Sequence, residues 1–135
     1  MLRSSTTTRY LIAGSPDTPV ALLDELAKSH DAPVRMRVAE NPQTPVLTLL
    51  HLLNDESAEV KIGLSLNPMF PEIFLTQLAY DTNPDVRLGL AENPGMPESV
   101  LRILEEDNNP YVCDRAKKTL TLLEGNRKAV MSVAA

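Results

Sequence analysis

Leucines recur in pairs three residues apart, and the pairs return every 26 residues: Leu23/Leu26, Leu49/Leu52, Leu75/Leu78 and Leu101/Leu104. Between them runs a second series spaced by four: Val34/Val38, Val60/Leu64, Val86/Leu90 and Val112/Ala116. Spacings of three and four place apolar side chains on one face of a helix, and no stretch alternates as a strand would. Each 26-residue period therefore predicts two helices, each with one buried face. Proline punctuates the same rhythm. Asn41-Pro42, Asn67-Pro68 and Asn93-Pro94 stand one period apart, with Ser15-Pro16 one period before them. Pro19, Pro45, Pro71 and Pro97 follow at a fixed offset.

The third period shows the local logic. Pro71 to Tyr80 carries Phe74, Leu75, Leu78 and Ala79 at helical spacing. Pro71 suits a first helical position, where its missing N–H costs nothing, and Glu72 faces the positive end of the helix dipole. Asn83 is the expected N-cap of a second, shorter helix over Asp85 to Glu92, with Pro84 at its first position. Asn93-Pro94 ends it, because a residue before proline disfavours the α region. Thr18-Pro19 and Thr44-Pro45 are expected to be cap-plus-first-residue pairs of the same kind.

The ends depart from the pattern. Thr8 to Ala13 matches only the second half of a period. Thr119-Leu120 replaces Asn-Pro, so the final helix is expected to run from about Val112 to Glu124 and stop at Gly125. Self-similarity at this period signals stacked units. The expected architecture is all-α: a right-handed α-solenoid of about four 26-residue helix–short-helix repeats with terminal caps. It spans 8–125, between a flexible N-terminal tail at 1–7 and a flexible C-terminal tail at 126–135.

Two segments carry a family resemblance. Val86-Arg-Leu-Gly-Leu-Ala-Glu-Asn-Pro-Gly-Met-Pro97 and Val34-Arg-Met-Arg-Val-Ala-Glu-Asn-Pro-Gln-Thr-Pro45 resemble the V-R-x-x-L-A-x-N-P-x-T-P pattern of the leucine-rich repeat variant family. The likeness covers about Thr8 to Leu120 and extends distantly to HEAT and armadillo repeats. It implies α-helices alternating with short helices, often 3₁₀, in a right-handed superhelix, with no enzyme activity and no defined ligand. The 26-residue period is longer than the family's usual unit. Some members hold an iron–sulfur centre on a cysteine cluster; this chain has only Cys113, so that cofactor does not carry over.

Composition narrows the function. Thirteen Lys and Arg against 18 Asp and Glu give a net charge of −5, which argues against a phosphate-binding surface. One cysteine forms no internal disulfide and no multi-thiolate metal site. No stretch reaches the roughly 20 apolar residues of a membrane span, and the first ten residues lack the apolar core of a secretory signal. A cytoplasmic location is the expectation.

Candidate chemistry is sparse. Arg9, Arg35, Lys61 and Arg87 share one phase of the repeat; Asp55, Asp81 and Asp107 share another. A structural ladder joining neighbouring units is preferred over a recognition strip, since Cys113 replaces the cation where no further unit follows. Gly63 and Gly89 share a phase, which suggests close backbone approach between short helices; a shallow ligand groove is the sharper alternative. Leu66, Met69 and Phe70 stand where sister repeats have Glu, Gln or Gly, and Thr; Met96 follows in Phe70's phase. They form either an exposed apolar edge for a protein partner or a second copy of the chain, or a group folded into the core. His30 and His51 lack a nucleophile motif. The Asp81 and Asp107 loops lack the EF-hand's glycine and terminal acid. No catalytic, cofactor or metal site is expected. The reading is a non-catalytic protein–protein interaction or scaffold module, with a partner of unknown identity. The alternative is a nucleic-acid-binding helical-repeat protein using the basic group Arg115, Lys117, Lys118, Arg127 and Lys128.

Overall fold

The computed structural model describes residues 5–134, and among them every regular element is an α-helix. The chain divides into two compact units, Met1–Pro71 and Glu72–Ala135. The first contains α1 (Thr6–Ala13), α2 (Val20–Leu26), α3 (Ala32–Glu40), α4 (Val46–Leu52) and α5 (Ala58–Ser65). The second contains α6 (Glu72–Leu78), α7 (Pro84–Ala91), α8 (Glu98–Glu105) and α9 (Pro110–Ala134).

The cores are built from the residues that the periodicity selects. Leu23, Leu49 and Leu52, with Val34, Val38, Val60 and Leu64, are almost wholly buried in the first unit. Leu78, Val86, Leu90, Leu101, Leu104, Val112 and Ala116 are buried in the second. Complete burial of one leucine contributes roughly 1.5–3 kcal/mol. These rows therefore supply most of the cohesion of helices only seven to nine residues long, too short to persist alone.

The Asn-Pro corners do more than end helices. Asn41 donates its side-chain amide to the carbonyls of Ala13 (2.8 Å) and Ser15 (2.9 Å), and its Oδ1 accepts from the amide of Gln43. Asn67 repeats this one period on. It donates to Ala39 (2.8 Å) and Asn41 (3.0 Å) and accepts from Met69. Both asparagines are buried; their bonds to Ala13 and Ala39 supply donors to helix-end carbonyls, and those to Ser15 and Asn41 add a second donor to carbonyls that also accept from the Thr18 and Thr44 amides. In the second unit Thr119 takes the Asn position and keeps one of the two bonds, from its hydroxyl to the Ala91 carbonyl at 2.6 Å.

Several boundaries differ from expectation. Thr18 and Thr44 are not N-caps. Their hydroxyls donate backwards to the carbonyls of Ile12 and Val38, closing the preceding corner. Pro19, Pro45 and Pro97 are the capping residues, extended at φ near −58° and ψ near 145° for Pro19 and Pro45. Their fixed φ lies in the extended range as well as in the helical one, and ψ decides between them. Asn83 caps α7 as expected, accepting from Asp85 at 2.9 Å. The helices expected to be short, α3, α5 and α7, are α rather than 3₁₀ and are one or two residues longer than α2, α4 and α6.

Both ends of the repeat region carry more helix than the sequence suggests. Helix α1 starts at Thr6, because Ser5 caps it by accepting from the Thr8 amide; residues 1–4 of the expected tail lie outside the described residues. Helix α9 does not stop at Gly125 but continues through 126–134, the segment expected to be a tail. Glycine weakens a helix by about 1 kcal/mol relative to alanine without terminating it. Here Glu124–Lys128 (3.5 Å) and Arg127–Glu98 (3.0 Å) bracket the weak point.

Candidate functional site

The charged ladder is resolved into ion pairs of graded depth. Arg35 grips Asp55 with two donors, Nε at 2.8 Å and Nη2 at 3.1 Å, and gives Nη1 to the Ser29 carbonyl. Arg87 does the same with Asp107 (2.8 and 3.3 Å) and the Asp81 carbonyl. Both pairs are nearly buried, with side chains 8–14% exposed. Each aspartate also accepts from the amide two residues on, Ser57 or Asn109, and so fixes the turn before the next helix. Asp81 accepts likewise from Asn83. In the first repeat Ser29 occupies the aspartate phase. Arg9 turns instead to Asp31, at 3.3 Å and with both side chains well exposed. Burial works to raise the Asp55 carboxyl, but the hydrogen bond from Arg35, the Ser57 amide and the field of Arg35 outweigh it and hold the group below the usual carboxylate range. The Arg35 guanidinium is correspondingly raised, first by its bond to Asp55. Cys113, in the phase of these cations, directs Sγ to the Glu105 carbonyl at 3.0 Å.

The structure divides the candidate apolar edge. Leu66 and Met69 are 53% and 56% exposed, whereas Phe70 and Met96 are buried. Thr18 and Thr44, in the phase of Phe70 and Met96, are buried too. That position points inward in every repeat, so a larger apolar side chain there enlarges the core rather than the surface.

Leu66 and Met69 are not the only accessible apolar side chains of the first unit. Helices α1, α3 and α5 lie side by side, and α3 and α5 meet closely at Gly63. A Cβ there would stand 3.1 Å from the Met36 carbonyl and 3.3 Å from the Ala39 methyl. The outward sides of the three helices present Tyr10, Leu11, Met36, Ile62 and Leu66, all half-buried or exposed. Arg37 crosses this face. Its guanidinium lies 5.0 Å from the Tyr10 ring centre, fills the space beside Gly14 and bonds Glu40 at 3.1 Å. Its Nε is buried with no acceptor. The sequence reading passed over Tyr10, Met36 and Ile62. Their signal was present: positions 10, 36, 62 and 88 form one phase and are apolar throughout.

The second unit offers clefts of a different character. One of about 760 Å³ lies between α8 and α9, lined by Met96, Glu98, Arg102, Lys117, Glu124 and Arg127 among others. Glu98 accepts from both Arg127 (3.0 Å) and Arg102 (3.1 Å), and these bonds lower its pKa, Arg127 first. The basic residues of α9 are interleaved with acids, Lys118 with Asp114 at 2.9 Å and Lys128 with Glu124. Among the described residues no group of three His, Cys, Asp or Glu side chains is placed to hold a metal ion, and no helix is long and apolar enough to cross a membrane.

Comparison with known proteins finds no family model that matches the chain, no similar curated protein and no similar solved structure.

Proposed function

We propose that this chain is a non-catalytic, cytoplasmic protein-interaction module. It is a right-handed solenoid of about four 26-residue repeats related to the leucine-rich repeat variant family, as its V-R and N-P motifs suggest. The observation that carries the function is the outward side of α1, α3 and α5, where Leu11 is 63% exposed beside Tyr10, Met36, Ile62, Leu66 and Met69. Exposed apolar side chains such as Leu11, Leu66 and Met69, set on helices whose neighbouring apolar positions are only half-buried, are of the kind that marks sites where proteins meet. The nucleic-acid alternative has less support, because acidic side chains pair with Lys118, Arg127 and Lys128. Affinity capture with the intact chain and with Leu11→Ser/Leu66→Ser/Met69→Ser tests the reading. Loss of specific partners from a variant that melts like the parent supports it, and an unchanged partner set refutes it.

A further inference from the structure

The helices that carry the leucine pairs, α2, α4, α6 and α8, meet their predecessors through fixed phases of the repeat. Thr48 of α4 donates its hydroxyl to Asp24 of α2 at 3.2 Å. Ser99 of α8 donates to Glu72 of α6 at 3.4 Å. In α2 those two phases fall on Leu22 and Ala21, which therefore face the place of a preceding leucine-pair helix. Among the described residues no such helix stands there, and α1 alone comes before α2.

The core rows register the gap. Val38, Leu64, Leu90 and Ala116 are wholly buried, whereas Ile12 in the same phase is only half-buried. Leu22 is half-buried where Thr48 and Val100 are buried. Both line a cleft of about 420 Å³ between α1 and α2, together with Arg9 and Leu26. A stack that ends on water carries a polar outer face. Thr8 supplies one where later repeats have buried valine, but Ile12, Ala21 and Leu22 do not.

The repeat itself shows what covers such a surface. Each leucine-pair helix brings two buried leucines three residues apart. The turns that follow α2 and α6 also offer the Ser29 and Asp81 carbonyls to Nη1 of Arg35 and Arg87. Arg9, in the phase of those arginines, turns instead to Asp31 at 3.3 Å, with its side chain 40% exposed beside the cleft. A second copy of the chain is a poor source of the missing helix, because the leucine pairs of α2, α4, α6 and α8 are buried in its own core.

We propose that the edge formed by α1 and α2 binds an amphipathic helix of a partner protein. Leucines three residues apart on that helix lie against Ile12 and Leu22, and a carbonyl or carboxylate at its C-terminal end accepts from Arg9. The contact continues the interface between successive repeats and is separate from the outward side of α1, α3 and α5. The probe is a synthetic peptide with the sequence of residues 16–31, which contains a leucine pair and the turn that bonds an arginine. Fluorescence anisotropy with the intact chain should show saturable binding with a Kd below about 1 mM. A peptide carrying Leu23→Ser/Leu26→Ser should bind about tenfold more weakly or worse. In the chain, Ala21→Glu at an exposed position should weaken binding about tenfold with melting unchanged, and Arg9→Ala should weaken it about threefold or more. No binding at about 1 mM peptide overturns the proposal, as does binding indifferent to Ala21→Glu. Binding that survives Ala21→Glu but is lost in Leu11→Ser/Leu66→Ser/Met69→Ser assigns the peptide to the outward side and also overturns it. Self-association of the chain that Ala21→Glu abolishes would give the edge to a second copy, again overturning it.

Discussion

The side-chain amide of Asn67 donates to the backbone carbonyl of Asn41, 26 residues earlier, at 3.0 Å, and Asn41 does the same to Ser15 at 2.9 Å. Within the first unit one residue type at one phase thus ties two successive corners back to the ones before them. Asparagine suits the place because its carboxamide donates across the corner while its Oδ1 accepts from the amide two residues on. Proline follows at no cost in hydrogen bonds because it has no N–H of its own.

Asn67→Ala removes two donated bonds and one accepted bond in a buried corner, takes the donor from the Ala39 carbonyl and leaves the Asn41 carbonyl with the Thr44 amide alone. The expected loss is about 2–4 kcal/mol, read from urea unfolding. Asn67→Asp should not rescue it, since a carboxylate offers no donor. A loss within 0.5 kcal/mol would remove the asparagine ladder from the account of stability.

The ion pairs should separate by depth. Arg35→Ala leaves Asp55 largely buried and unpaired, and is expected to cost about 2–4 kcal/mol. Arg9→Ala at the exposed end of the same row should cost under about 1 kcal/mol. Double-mutant cycles on Arg35/Asp55 and Arg9/Asp31 check the ranking, and equal coupling energies would contradict it.

Acid should weaken the first unit through Asp55. Its carboxyl titrates lower in the folded chain than in the unfolded one, so the folded state binds fewer protons in that range. The stabilisation is complete above the unfolded pKa of about 3.9 and disappears as pH falls through the folded value. Asp55→Asn should lower stability at neutral pH and flatten the acid limb of the stability curve. An acid limb identical to the parent's would exclude Asp55 as its source.

Two glycine-to-alanine changes should have opposite signs. At Gly63 a methyl would press on the Met36 carbonyl and the Ala39 side chain, so the cost of parting α3 from α5 outweighs the gain in helix propensity. At Gly125 nothing lies within 4 Å, and alanine should stabilise α9 by about 0.5–1 kcal/mol. Thermal unfolding and helical circular dichroism of the two variants decide this.

Met69→Ser and Phe70→Ser, adjacent in sequence, should differ sharply. Met69 is exposed and its loss should change stability by under about 0.5 kcal/mol, whereas replacing the buried Phe70 should cost about 3 kcal/mol or more. A comparable fall in melting temperature for both would place Met69 in the core as well.

The period of 26 residues was enough to locate the helices, their buried leucine and valine rows, and the phases of the arginine and aspartate ladder. These follow from local spacing and from repetition, which a single chain displays openly. Tertiary structure alone decided what lies on either side of that frame. Phe70 and Leu66 are equally apolar letters, but one phase points into the core and the other into solvent. Thr44 reads as a cap until the Val38 carbonyl is found within 2.7 Å of its hydroxyl. Gly125 reads as a stop, although helix breaking needs more than about 1 kcal/mol of lost propensity. In each case the outcome depends on which atoms from elsewhere in the chain stand nearby, and spacing along the sequence carries no such information.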